Sequence, residues 1–384
     1  MARCRFGMWP VLPLDVHFRK PSPWRPFPLD QNNVKVFSRA RHAIYNACKA
    51  FGFQEKDIIL VPAYHHGSEI EALVQVGVKI KYYELDQNLE PDPDELEQLM
   101  EADVKALYIT HYLGFPQKAS LWRKWCDDRK LLLIEDAAQA FLAEKDGIPV
   151  GTHGDFSVYC LYKTYGLPDG GLLYSKKYLD IPISKTPTGL WPMLKRHINF
   201  ISENSWKIAG PHLRYNASMK NLKKYKKASI DKELALGDPT TSASLMTFRL
   251  LPLLLEEDTA LRRRENYKYL LTKLGHLVPA PFNELPDGAS PFAFPIRIKD
   301  AKPFLERLKQ EGVIGQLFWL NPHPTLPREK FPRSIALRED VLALPVHQDL
   351  SPKQLNQIIR AVKKSLQENI GTKATYDPQP LLQL

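Results

Sequence analysis

At 384 residues, 44% hydrophobic and 25% charged, the chain has the composition of a soluble globular protein with length enough for two domains. No apolar run approaches the roughly 20 residues of a membrane-spanning helix, and the opening MARCRFGMWPVLPLDVHF lacks a signal-peptide core and cleavage site, so a cytoplasmic protein with no membrane partner is expected. The net charge of +10 suits a small anion drawn to a cleft as well as it suits nucleic acid. Apart from KNLKKYKK at Lys220 to Lys227, which reads as a solvated face, the basic residues are dispersed, and no nucleic-acid partner is expected. Cys4, Cys48, Cys126 and Cys160 show neither a CxxC pair nor metal-ligand spacing, which argues against a disulfide framework and a zinc site.

In chain order, short β-branched runs alternate with amphipathic stretches from about residue 35 to 175. RHAIYNACKAFG predicts a helix, IILVPAY (58–64) a strand, SEIEALVQVG a helix, VKIKYYEL (78–85) a strand and DPDELEQLM a helix. VKALYITH (104–111), LLLIED (131–136), FSVYCLY (156–162) and GGLLYS (170–175) continue the strands, with SLWRKWCDDRK as a helix between the first two. Such alternation predicts an α/β fold, a large and mostly parallel sheet covered by helices, with ligands at the carboxyl ends of the strands.

From about 176 to 240 a Pro-, Lys- and Asn-rich stretch predicts an irregular excursion. A long helix from Ser242 through LTKL is expected to bend near Pro252, because an interior proline removes a backbone donor. AFPIRI (293–298), KPFLERLKQEG (302–312), VLALPV (341–346) and a last helix opened by Ser351 and Pro352 predict a smaller C-terminal α+β domain, before a loose tail of about a dozen residues. The expected division is 1–245 for the large domain with an N-terminal arm and 246–384 for the small one.

Two positions stand out chemically. Asp136 ends an apolar strand, where a carboxylate either meets a cation in the crevice or caps a following helix. Lys163 closes another apolar strand, where it either does chemistry or snorkels to the surface. A lysine amine that condenses with an aldehyde and a carboxylate opposite a pyridine nitrogen are the two groups that pyridoxal-phosphate chemistry needs.

The stretches RHAIYNACKAFG, DIILVPAYHHGSEIEAL, THYLGFPQ, LLIEDAAQA, GDFSVYCLYKTYGLPDGG and LALPVHQDLSPKQ together resemble the DegT/DnrJ/EryC1/StrS sugar aminotransferases, fold-type I pyridoxal-phosphate enzymes, from about Ser38 to Lys364. The resemblance implies pyridoxal 5′-phosphate as cofactor, Lys163 as the lysine that holds it and moves protons, and Asp136 as partner of its ring nitrogen. It places Gln139 by the cofactor's 3′-oxygen and the His66 ring against the pyridine. The phosphate would rest on the helix starting at Ala40 and Arg41. Two departures bear on that phosphate: Ala40 stands where the family usually has glycine, and Cys160 where the superfamily commonly has a serine donor.

The activity implied is transfer of an amino group from L-glutamate to the keto group of a nucleotide-linked sugar, of the kind used in polysaccharide biosynthesis, by a homodimer. The alternative is a non-catalytic regulatory or scaffolding homologue that binds the cofactor; retention of Lys163, Asp136 and Gln139 together argues against it. A dehydratase of the same family would have replaced the lysine. His65, Glu69, Trp319 and His323 are candidate substrate-pocket residues, each of which reads more readily as a structural one.

Overall fold

Strands that are apolar on both faces are stable only between two layers, and the runs at Ile58, Val104, Leu132 and Phe156 meet that demand at the centre of one sheet. The computed structural model describes residues 5–183, 185–204, 233–299 and 301–370. The KNLKKYKK stretch and the C-terminal tail lie outside these residues.

The first part of the chain runs β1 (Phe6–Gly7), β2 (Val34–Phe37), α1 (Ala40–Ala50), β3 (Ile58–Pro62), α2 (Ser68–Val76), β4 (Lys79–Tyr83), α3 (Pro93–Leu99), β5 (Val104–Thr110) and α4 (Ala119–Asp128). It continues through β6 (Leu132–Asp136), the hairpin β7 (Glu144–Lys145) and β8 (Ile148–Pro149), β9 (Phe156–Cys160), α5 (Leu161–Thr164), β10 (Gly171–Ser175) and α6 (Leu190–Asn204). The seven-stranded sheet has the order β2-β10-β9-β6-β5-β3-β4, parallel from β9 to β4, with β10 antiparallel to both β9 and β2.

Because side chains alternate across a strand, Ile59, Val61 and Ile134 pack with Ala43, Ala47 and Leu73 of α1 and α2, while Ile58, Leu60 and Leu133 pack on the other face with Trp122 and Tyr267. The core therefore lies on both sides of the sheet.

The C-terminal part contains α7 (Leu245–Leu254), α8 (Thr259–Leu274), β11 (Phe294–Arg297), α9 (Ala301–Gln310), β12 (Val313–Ile314), β13 (Gln316–Leu317), α10 (Pro332–Asp340), β14 (Val341–Leu344) and α11 (Pro352–Ile370). β11, β14 and β13 form an antiparallel sheet, and β1 pairs in parallel with β12, so the N-terminal arm is tied to the C-terminal part.

Two expectations need correction. The long helix from Ser242 is two helices, and Pro252 lies inside the first instead of at the break. The break comes at Leu255, which is extended, three residues after the proline. The stretch from 176 to 240 is also more regular than its composition suggests, since it contains the 15-residue α6.

Gly171 opens β10 against the entry to α1, and a Cβ there would lie 2.0 Å from Arg39 C and 2.1 Å from Ala40 N. Gly171→Ala is expected to cost at least about 2 kcal/mol in urea unfolding through overpacking. Gly52→Ala, at φ +72° with nothing within 4 Å, should lose only about 1 kcal/mol from its left-handed backbone. Equal losses would contradict the close approach of β10 to α1.

Candidate active site

β6 and β9 are parallel neighbours with Asp136 opposite Val158, so the chain leaves both at the same rim of the sheet. Asp136 is 7% exposed. Its Oδ2 accepts from the Tyr108 hydroxyl at 2.8 Å and its Oδ1 from the Ala138 N–H at 2.8 Å. No helix begins after β6, so Asp136 holds a turn and is not the cap of a following helix. Burial raises its pKa, Glu69 raises it further, and Lys163 opposes both. No cation forms an ion pair with it among the described residues.

Lys163 does not close a strand. The β9–β10 ladder ends at the pair Cys160 and Gly171, and the chain then folds into the single turn α5, closed by the Tyr165 N–H donating to Leu161 O at 2.9 Å. The Lys163 amine lies 5.8 Å from the Phe292 ring centroid and has no hydrogen-bond acceptor among the described residues. Burial works against its charge, yet the fields of Cys160, Tyr162, Asp136 and Glu69 outweigh it and hold its pKa above the usual lysine value. A half-buried lysine and a buried carboxylate thus share a rim without pairing.

Gln139 Oε1 accepts the Leu113 N–H at 2.8 Å, and its amide nitrogen donates to nothing among the described residues. His66 Nδ1 lies 3.2 Å from Ser68 Oγ and its Nε2 3.4 Å from Glu233 Oε1. Contacts at both ring edges fix the plane of the imidazole. At α1, Arg39 is the N-cap with no side-chain cap, and the Ala40 and Arg41 amides have no acceptor among the described residues. The Arg41 guanidinium is engaged elsewhere: Nη1 reaches the carbonyls of Glu233, Leu234 and Ala235 at 2.7, 3.0 and 2.7 Å. The Cys160 thiol donates to the Tyr162 hydroxyl at 3.7 Å, and Arg39 lies over the Tyr162 ring.

These groups fit pyridoxal phosphate. An unpartnered amine can condense with the aldehyde, a buried carboxylate without a counter-ion can face a pyridinium, an unused amide donor can meet the 3′-oxygen, and uncapped helix amides can receive a phosphate. Tyr108, Tyr162 and Glu69 also belong to this neighbourhood. Tyr108 carried a signal, because a tyrosine within an apolar strand run needs a partner for its hydroxyl. Glu69 accepts the His66 N–H at 2.7 Å; burial pushes its carboxyl up, but His66 and His65 outweigh this and hold it low.

His65 and His323 are structural. His65 Nδ1 donates to Pro62 O at 3.1 Å and Nε2 accepts the His323 N–H at 3.2 Å, while the ring stacks on Tyr82. The fully buried Arg338 donates to the carbonyls of Ala63 and His65 at 2.6 and 2.8 Å and to that of Trp319, whose ring packs on Tyr64. The loop that carries His66 and leads into α2, where Glu69 lies, is thereby fastened to the C-terminal part.

The DegT/DnrJ/EryC1/StrS aminotransferase family matches the chain over residues 29–177 and 241–363. GDP-perosamine synthase of Vibrio cholerae is 29% identical over 160 residues, 41% of this chain and 43% of the relative, so the chain aligns with less than half of that protein's length. The dTDP-4-dehydro-2,3,6-trideoxy-D-glucose 4-aminotransferase of Saccharopolyspora spinosa is 21% identical over 90% of this chain and 88% of its own. Among solved structures, the PLP form of the putative sugar aminotransferase Spr1654 from Streptococcus pneumoniae is similar in fold, with a TM-score of 0.62, 15% identity and coverage of 94% of this chain and 93% of that one. DesV of S. venezuelae gives a TM-score of 0.62 at 20% identity, covering 86% and 84%.

The His65 latch predicts an acid sensitivity. Burial and then the Arg338 charge lower its pKa from 6.5 to about 3. The folded state therefore favours the neutral ring, and the stability this gives is complete above about pH 6.5 and lost as pH falls toward 3. The thermal midpoint should drop over that window, and less steeply in His65→Asn. Parallel curves for the two proteins would contradict the assignment.

Proposed function

The chain belongs to the DegT/DnrJ/EryC1/StrS aminotransferase family, and on that premise we propose that it is a pyridoxal-phosphate-dependent aminotransferase that moves an amino group from L-glutamate to a keto group on a nucleotide-linked sugar. What carries the reading is the unpaired Lys163 amine beside the buried Asp136 carboxylate at one rim of the sheet. When bound, pyridoxal phosphate supplies an electron-withdrawing ring that accepts an amino group from one substrate and passes it to the keto carbon of another.

The protein's own groups do the rest. Asp136, fixed by Tyr108 and Ala138, would present a carboxylate to the cofactor's ring nitrogen and keep a proton there; the positive charge opposite would in turn favour the ionised form of a carboxyl that burial alone disfavours. Lys163 would hold the cofactor at its aldehyde and, once displaced by the substrate's amino group, its free Nζ would be the acid and base that moves the substrate's α-proton. The His66 ring would lie against the cofactor's ring, Gln139 would donate to its 3′-oxygen, and the Ala40 and Arg41 amides, with Cys160 nearby, would hold its phosphate. The named activities of the two relatives support a nucleotide-sugar acceptor. A homodimer with a cytoplasmic location, and a domain division near residue 245, complete the proposal.

Lys163→Ala should remain folded and lose transamination by at least about 10⁴-fold, as expected when a covalent catalyst is removed. Asp136→Asn should lose roughly 10²-fold or more, because a neutral amide cannot hold the ring proton. Single-turnover absorbance with L-glutamate measures both, and near-normal rates in either variant would reject the assigned roles.

A further inference from the structure

The helical turn that presents Lys163 is only four residues long. So short a helix cannot satisfy its own carboxyl end, and the Lys163 and Thr164 carbonyls need donors from elsewhere. Both are taken by one side chain of α8. Arg263 Nη2 donates to Thr164 O at 3.0 Å and to Lys163 O at 3.4 Å, and its Nε donates to Gln348 Oε1 at 2.8 Å. Gln348 Nε2 in turn donates to the same Thr164 carbonyl at 2.9 Å.

A fourth contact of this guanidinium reaches the segment before Phe292. Nη1 donates to Pro291 O at 3.2 Å, and the next residue, Phe292, is the ring beside which the Lys163 amine lies. The Phe292 N–H donates to Leu113 O at 2.8 Å, and the Leu113 N–H donates to Gln139. One buried cation thus ties together the backbone that carries the lysine, the aromatic beside its amine and, through two further hydrogen bonds, the Gln139 side chain.

Arg263 is 1% exposed and forms no carboxylate ion pair among the described residues. Burial draws its pKa down to about 10, against the fields of Asp349 and Tyr165, which leaves it charged at neutral pH. A guanidinium buried at such cost and held by neutral oxygens alone needs all of its donors placed, which makes the arrangement rigid.

We propose that Arg263, with Gln348 as its brace, is a positioning residue that fixes the Lys163 turn and so sets where the Lys163 amine stands. The proposal rests on the assignment of Lys163 as the cofactor-holding lysine, but the stiffness of the turn is measurable without it. Arg263→Lys keeps the charge and loses the planar set of donors; Gln348→Ala keeps the arginine and loses the brace.

Two readouts on the full chain test the proposal. Hydrogen exchange of the 161–166 amides, before cofactor is added, should quicken at least tenfold in Arg263→Lys and less in Gln348→Ala. With cofactor and saturating L-glutamate, the single-turnover rate should fall roughly ten- to a hundredfold, as expected for a displaced reacting group, while the apparent KM for the donor stays within about twofold. A lower thermal midpoint with unchanged exchange and unchanged single-turnover rate would show a merely structural residue and overturn the proposal. Should Arg263→Lys not fold, Gln348→Ala decides by the same two criteria. If the wild-type protein proves unable to transaminate, hydrogen exchange still decides whether Arg263 stiffens the turn, and the failure belongs to the proposed function.

Discussion

The arrangement of this site depends on keeping a half-buried lysine and a buried carboxylate near each other but unpaired. Each group alone would be unfavourable in an apolar interior, and the usual remedy is a direct ion pair. Here each is stabilised by its own neighbours. Asp136 receives the Tyr108 hydroxyl and a backbone amide, and Lys163 lies in the combined field of Cys160, Tyr162, Asp136 and Glu69. The two charges therefore remain available to a third group that carries complementary ones.

The sheet makes this separation possible. Parallel neighbours β6 and β9 bring Asp136 and the approach to Lys163 to one rim, and the rigid apolar layers on both faces keep that rim fixed. Loops that leave the rim are irregular and would otherwise move. They are held from the C-terminal part by two buried guanidiniums, Arg263 on the Lys163 turn and Arg338 on the loop of His66. Leu113 shows the same principle on a smaller scale: its left-handed backbone, φ 53°, is held between the Gln139 side chain and the Phe292 amide.

Much of the framework was legible in the residues because it follows from local pattern. IILVP, VKALYIT and LLIED are largely apolar runs that read as strands of a mostly parallel sheet, and Asp136 and Lys163 were exceptional as charged residues at the ends of such runs. What was not legible depends on contacts distant in sequence. Where β9 gives way to the Lys163 turn is decided by where β10 returns, at Gly171, which FSVYCLY does not encode. Arg263 and Arg338 look like ordinary helix-surface arginines until the carbonyls they serve are seen, and Arg41, placed by its position at a helix start, spends its guanidinium on three carbonyls at Glu233 to Ala235. A break at Leu255 and not at Pro252 shows that a proline in the helix interior need not mark its end. The family match, too, stops at 177 and resumes at 241, so α6 lies between the two matched segments.

The central claim is that Lys163 is the residue that holds the cofactor. It is tested most directly by adding pyridoxal phosphate to the full chain, reducing with borohydride, and locating the added mass by peptide mass spectrometry. The account predicts one cofactor-derived mass per chain on the peptide that contains Lys163, and none when L-glutamate is supplied before reduction. A stable adduct on another lysine, or an unmodified Lys163 under saturating cofactor, would contradict it.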